Sequence, residues 1–349
     1  MEQTWFGISN KTLYSIIAVI LLLWGLSGLQ EIAKTPYSGY FTSPDNVITT
    51  VEDGSPAAAA GLRVGDQITK MHGIAVENSA ARAEQSRVVP GSAGTITVQR
   101  SGAEQTLNLR YGEQPTSNML LNQGVGIVIG LASLLLGLFA YLRNPTLRSS
   151  MLCLLLLTFA ALFLPGPYLA SATARGWLSA LFNVIVGLLL ALLLLYCLRF
   201  PREKKLLTDR PWLSGLIVVI AILPGIIFAY RDIMRPDTSA GTSTLLSLLG
   251  GIVSGGLFLC SLCAILHSYL KADANERRAW GLNWMMLGAV IGLAPVVLSV
   301  LVFLLFPRAG QMGWQRLLGL FFLAIPICFT LALMKREPVR HAIGEEARA

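Results

Sequence analysis

A chain of 349 residues that is 54% hydrophobic and only 13% charged does not have the composition of a soluble globular protein. Its formal charge of +8 is unevenly spread: residues 29–119 hold 7 basic and 9 acidic side chains, and the rest of the chain holds 20 basic and 10 acidic. The positive charge therefore belongs to the apolar part, where it reports membrane orientation, and nucleic acid is excluded as the expected partner.

In chain order, the first apolar run spans 13–29. It follows Lys11, contains Trp24 and lacks a small-x-small cleavage site before Gln30, so it reads as a retained anchor and not as a signal peptide. Seven further runs follow, at 120–142, 150–171, 177–200, 212–230, 244–270, 281–306 and 315–334. Runs of about 20 apolar residues suffice to cross a hydrocarbon core. The expected fold class is an α-helical polytopic membrane protein of about eight transmembrane helices. An α+β domain (30–115) is inserted between helices 1 and 2, seven helices fill 120–334, and a short basic tail covers 335–349.

Loop charges set the expected orientation. With a cytoplasmic N-terminus, the inner segments carry 15 Lys and Arg, among them Arg199, Lys204, Lys205 and Lys271, and the short outer loops carry 5. That bias places residues 30–115 outside the cytoplasm, because long translocated domains follow their helices regardless of charge. No Asp, Glu, Lys or Arg lies near the middle of a run, Asn183 being the most central polar group, which argues against a proton- or ion-coupled carrier. Pro165, Pro224, Pro295 and Pro326 shape the helices. Gly126-xxx-Gly130, Gly251-xxx-Gly255 and Gly288-xxx-Gly292 allow close helix packing, within the bundle or between the copies of a homodimer.

The inserted domain alternates short strands and turns. Val47–Val51 is β-branched and strand-like, and Ser55 with Pro56 caps and opens a short helix over Ala57–Ala60 that stops at Gly61. Gln67–Met71 reads as a strand, His72-Gly73 as a tight turn, Asn78–Val88 as a helix, and Thr95–Arg100 with Gln105–Arg110 as a hairpin across Ser101-Gly102.

The stretch Val51-Glu52-Asp53-Gly54-Ser55-Pro56, then Ala60-Gly61-Leu62, then Gly65-Asp66-Gln67-Ile68, closely resembles the signature of bacterial PDZ domains, as does the ending Val98-Gln99-Arg100-Ser101-Gly102. In that family an extended peptide adds as a strand beside the domain's second strand, with its C-terminal carboxylate in a backbone nest. The resemblance implies a carboxylate loop just before the Val47 strand, with Gly39, Tyr40, Phe41 and Thr42 as candidate peptide-binding residues and the 79–88 helix as the opposite wall. The partner so implied is a peptide or protein C-terminus. A PDZ fold kept as a rigid spacer or pairing unit is the alternative.

PDZ domains often accompany proteases, and the chain carries few of the residues protease chemistry needs. His-Glu-x-x-His is lacking, since the chain has only His72, His267 and His341. A trypsin-like triad has no domain to hold it. Gly25-Leu26-Ser27-Gly28 matches a rhomboid string but ends the first helix, and Cys260-Ser261-Leu262-Cys263 spells a metal spacing inside an apolar helix without a second pair. With Cys153, Cys197 and Cys328 also in apolar runs, no disulfide framework exists. The expectation is a non-enzyme with no cofactor and no metal.

Leu195-Tyr196-Cys197-Leu198-Arg199-Phe200-Pro201, Asp273-Ala274-Asn275-Glu276-Arg277-Arg278-Ala279-Trp280 and Leu320-Phe321-Phe322-Leu323-Ala324-Ile325-Pro326 resemble the PDZ-bearing, eight-helix sensing module in front of some bacterial sensor histidine kinases. That resemblance implies the bacterial inner membrane, a periplasmic PDZ domain, and relay of a peptide or lipophilic signal to a cytoplasmic kinase or regulator. The alternative is a membrane scaffold that tethers periplasmic proteins or protease substrates. Residues 335–349 are too few for a catalytic domain, which leaves a stand-alone sensor or a fragment of a longer one.

Overall fold

The computed structural model describes residues 4–5, 8–32, 36–43, 45–76, 88–115, 123–167, 172–201, 203–234, 240–292 and 318–334. Two short paired strands, β1 (Thr4–Trp5) and β2 (Ile8–Ser9), lead into the first helix, α1 (Asn10–Ile32). The β-rich segment follows: β3 (Pro36–Tyr37), β4 (Tyr40–Thr42), β5 (Ile48–Val51), α2 (Pro56–Ala59), β6 (Gln67–Met71), β7 (Ile74–Ala75), β8 (Ala93–Arg100), β9 (Ala103–Arg110) and β10 (Gly112–Glu113). A four-stranded antiparallel sheet has the order β7-β6-β8-β9, while β4 pairs with β5 and β3 with β10. A bridge from Val47 to Gln67 ties the β4–β5 pair to β6.

Local chemistry explains these breaks. Ser55 caps α2, its Oγ accepting from the Ala58 N–H at 3.2 Å, and Pro56 opens the helix where its missing N–H costs nothing. Gly61 leaves the helix at φ +84°, a left-handed conformation that L side chains adopt only at a cost. Ser101 and Gly102, at φ +50° and +82°, form the two-residue turn whose twist matches the β8–β9 hairpin. Ile48, Ala57, Leu62, Ile68, Ile96, Val98, Leu109 and Tyr111 meet in a core that draws on no residue of the helical part. The expected Asn78–Val88 helix lies outside the described residues except for Val88, which is buried in this core.

Gly61 provides a test of the backbone reading. A Cβ there would meet nothing within 4 Å, so Gly61→Val probes φ alone. It is expected to destabilise residues 30–115 by about 1–2 kcal/mol in denaturant titrations. Unchanged stability would mean that α2 ends elsewhere.

The remainder is helical: α3 (Val125–Arg143), α4 (Leu147–Phe163), α5 (Ala172–Arg199), α6 (Lys205–Asp209), α7 (Leu213–Met234), α8 (Ala240–Lys271), α9 (Ala274–Ala279), α10 (Leu282–Gly292), then a 3-10 turn (Leu318–Leu323) running into α11 (Ala324–Met334). Among the described residues, four stretches are long and apolar enough to cross a membrane: Asn10–Leu29, Val125–Arg143, Trp177–Arg199 and Leu248–Lys271. Shorter apolar helices occupy Leu147–Phe163, Trp212–Phe228, Leu282–Gly292 and Gly319–Met334. The outward faces stay apolar, with Leu135, Val219, Ile252 and Leu259 exposed, as a lipid-facing surface requires.

The expected run 150–171 is corrected. Its helix stops at Phe163, because Pro165 pushes Leu164 into extended backbone (ψ 131°). Pro224 lies inside α7 as expected, and Pro295 is outside the described residues.

Glycines set how closely the helices approach. Gly126 and Gly130 face Phe163 and Leu164, where a Cβ would lie 3.0 Å from the Phe163 carbonyl oxygen and 2.8 Å from Leu164 Cγ. Gly288 and Gly292 lie against α11 in the same way. Gly251 and Gly255 meet nothing within 4 Å among the described residues. Tyr196, Phe200 and Phe329 stack in the bundle core, with centroids 5.6 and 5.9 Å apart. α1 runs alongside α4, with the Tyr14 hydroxyl hydrogen-bonded to Ser150 at one end and Gly28 against Pro165 at the other.

Candidate functional site

The four residues expected to form a carboxylate loop are arranged differently. Tyr40–Thr42 is itself a strand, paired antiparallel with β5 in the register Tyr40–Val51, Phe41–Thr50 and Thr42–Ile48, with an irregularity between Phe41 and Thr42. The connection from β3 to β4 is reduced to Ser38 and Gly39, because β3 is held by β10 through Tyr37–Gly112 and Pro36–Glu113. The strand beside which a peptide would add is therefore β4 and not the Val47 strand. Sequence reading missed it because three residues with no alternation beyond Tyr-Phe-Thr carry no periodic signal.

Gly39 is the tightest point of this corner. It is buried at φ +76°, its carbonyl accepts from the Glu52 N–H at 2.8 Å, and a Cβ there would overlap the Ser55 side chain. The Ser38 carbonyl accepts from the Ala57 N–H at 2.9 Å. The Tyr37 hydroxyl donates to the Glu52 carboxylate, which closes the corner from the other side. Tyr40 packs against the domain core, and burial, with Tyr111 beside it, pushes its phenol well above the usual range. It acts here as an apolar body.

Strand alternation fixes what β4 offers. The Gly39 carbonyl points toward β5, so the polar backbone groups of Tyr40 point to the opposite edge, and Thr49 Oγ1 donates to the Phe41 carbonyl on the β5 side at 3.2 Å. Among the described residues no strand pairs with that outer edge. A free edge of this kind can accept an extended peptide by main-chain hydrogen bonding. The helix expected as the opposite wall, 79–88, lies outside the described residues apart from Val88.

A second feature, passed over in the sequence as a turn, anchors the domain. Asp66 is 2% exposed and receives Arg100 through two bonds, Nε to Oδ1 at 2.7 Å and Nη2 to Oδ2 at 2.6 Å. The Arg63 N–H adds a third bond at 2.8 Å, and Arg100 Nη2 also donates to the Gly61 carbonyl at 2.8 Å. These bonds, Arg100 first, hold the Asp66 carboxyl below its ordinary range. The pair joins the loop after α2 to the end of β8. Two residues 34 positions apart give no local signal of such a bond.

The remaining chemical candidates are scattered. His72 sits in the β6–β7 turn near Tyr111, His267 lies on α8, and His341 is outside the described residues. Ser27 Oγ donates to the Trp24 carbonyl within α1 at 2.7 Å. Cys153, Cys197 and Cys328 are buried, whereas Cys260 and Cys263 are exposed on α8 and do not pack as small apolar core residues. Among the described residues, no three His, Cys, Asp or Glu side chains come close enough together to hold a metal ion.

A β-rich unit with a capped short helix, an Asp-anchored loop and an open strand edge, set between apolar helices, defines a membrane-associated chain with a PDZ domain. The family described as PDZ domain matches residues 28–110. Over 101 residues the chain is 35% identical to a Neisseria meningitidis serogroup A protein named as a putative zinc metalloprotease, a match covering 27% of this chain and 22% of that protein. The chain thus spans about a fifth of the length of this curated relative. A solved HtrA-type protease, an AlgW variant with a decapeptide, matches 26% of this chain and 34% of its own at 22% identity and a TM-score of 0.22.

These comparisons correct the expectation of a non-enzyme. The curated relative is named as a putative zinc metalloprotease, which points to a proteolytic enzyme family. The kinship lies in the PDZ domain, whose signature residues shape turns and carry no chemistry, so no catalytic motif announces it.

Proposed function

We propose that this chain is a membrane protein of a proteolytic system whose PDZ domain captures the C-terminal end of a polypeptide by strand addition to β4 and holds it beside the bilayer. The open outer edge of β4 next to the buried Gly39 corner carries this reading, and the protease kinship of the domain supports the polypeptide as ligand. PDZ domains bind peptide C-termini in this way. Gly39, Tyr40, Phe41 and Thr42 are the proposed contacts, through backbone groups.

The test is peptide binding to residues 30–115. Hydrophobic peptides with a free C-terminus should bind, and amidation of that terminus should weaken them about tenfold or more, since hydrogen bonds to a charged group are worth roughly 1.5–3 kcal/mol. A broad peptide library without binders, or binders indifferent to amidation, would leave β4 as a pairing edge only.

We further propose eight crossings of a bacterial inner membrane with the PDZ domain on the periplasmic side. The loop charges support this, as does the end of the bundle from which the domain departs: α1 leaves past Pro165, and α3 begins against Phe163. A reporter enzyme active only outside the cytoplasm should be active when fused after Arg110 and silent after Lys335. The opposite pattern would invert the topology.

Relay of binding to a cytoplasmic partner is the second reading. It is favoured by the contact of α1 with α4 from Ser150 to Pro165, which links the PDZ end of the bundle to its far end. It requires a ligand with different affinities for two bundle arrangements.

A further inference from the structure

At the end of the bundle that carries the basic loops, a cavity of about 330 Å³ opens between the α5–α6 connection, the last turns of α8, and α9. Lys204, His267 and Lys271 line it together with Ser268, Trp280, Glu203 and Glu276. His267 and Lys271 are one helical turn apart on α8, so they present to the same side. Lys204 reaches in from the segment after Pro201 and is anchored by donating from Nζ to the Ala264 carbonyl at 3.1 Å. An ammonium has three donors, and this bond uses one.

The charge balance of the lining favours an anion. Glu203 is matched by Arg199, at 3.3 Å from its Nε, which leaves Glu276 against two lysines. Arg148 lies behind the Trp280 wall, its guanidinium 5.4 Å from the ring centroid, and its Nη1 is buried without a hydrogen-bond partner among the described residues. Neutralising the end of α8 does not explain the lysines, because Arg277 Nε already donates to the Tyr269 and Ala272 carbonyls at 2.9 Å each. Burial, with Lys271 nearby, holds the Lys204 ammonium below its ordinary range, the direction an incoming anion would reverse.

The location narrows the chemistry. Lys271 ends the apolar stretch Leu248–Lys271, so the cavity lies at the level where apolar helix gives way to polar chain, and Trp280 provides the amphipathic ring common at that depth. Basic pockets between membrane helices at this level take lipid headgroups. We propose that the cavity binds a phosphate-bearing anion between Lys204 and Lys271, with Trp280 as an apolar wall, while Ser268 Oγ donates to the Ala264 carbonyl at 2.9 Å. The phosphate of an anionic phospholipid headgroup and a free phosphate share this chemistry.

The full-length protein in neutral detergent is the material for the test, with thermal unfolding followed during titration at constant ionic strength. The probes are dihexanoyl phosphatidylglycerol, dihexanoyl phosphatidylcholine and inorganic phosphate. Phosphatidylglycerol is expected to raise the midpoint in a saturable way, and phosphatidylcholine to leave it unchanged. Stabilisation by inorganic phosphate as well would identify the source as a free anion, and stabilisation by the lipid alone would identify it as a headgroup. Lys271→Gln, at an exposed position, should weaken the response about tenfold, and Lys204→Gln with Lys271→Gln should abolish it. Lys205→Gln, next in the chain but outside the cavity lining, should change nothing. The proposal is overturned if neither anion stabilises the protein, if Lys271→Gln binds like the parent, or if Lys205→Gln weakens binding as much as Lys271→Gln does.

Discussion

Asp66→Asn is expected to lower the stability of the PDZ domain by about 1.5–3 kcal/mol, because the buried carboxylate's charge-assisted hydrogen bonds are lost. Arg100 would lose its two-bond grip, and the Arg63 N–H would lose its charged acceptor. For a small domain this is a large share of the total stability. Denaturant titration of residues 30–115 at neutral pH measures it, and Arg100→Leu in the same chain should recover part of the loss. The pH dependence has a definite sign. The Asp66 carboxyl is held below its unfolded value of about 3.9, so its stabilisation is present above that pH and is lost as pH falls through the lower folded value. The parent should therefore lose stability below about pH 4 more steeply than Asp66→Asn. Parallel acid limbs would show that the pair contributes nothing to acid stability.

Gly39→Val is expected to do more damage than Gly61→Val, by about 2–5 kcal/mol in total, combining left-handed backbone strain with overpacking. Both glycines have positive φ, but only at Gly39 would a side chain overlap Ser55 and crowd the Tyr37 hydroxyl. Ser55 cannot move away freely, since it caps α2 and also donates from Oγ to the Gly39 carbonyl at 3.4 Å. The substitution should therefore loosen both the α2 start and the β4 edge. Peptide affinity measured on whatever fraction remains folded should fall with it. Equal melting losses for Gly39→Val and Gly61→Val would mean that the corner is not tightly packed.

Much of the domain was legible because its rules are local. Ser55-Pro56 announces a helix start, Gly61 its end, and His72-Gly73 and Ser101-Gly102 tight turns. Apolar runs of sufficient length mark the membrane helices for the same reason, since length and apolarity are properties of a single segment. The run through Pro165 was overextended because a hydropathy count ignores the effect of proline on the residue before it.

The candidate site was less legible. Gly39–Thr42 reads in the sequence as a loop, because the strand character of Tyr40–Thr42 comes from pairing with β5 and the brevity of the corner from β3 pairing with β10. By itself, then, the sequence determined the PDZ signature, the apolar helices and the charge asymmetry between loops, all of which are written in consecutive residues. Only the tertiary structure decided that β4 presents the open edge, that Asp66 is an anchor bound to Arg100, and that Lys204 meets His267 and Lys271 around one cavity. Each of these joins groups distant in sequence, and the chain must close on itself before they can interact.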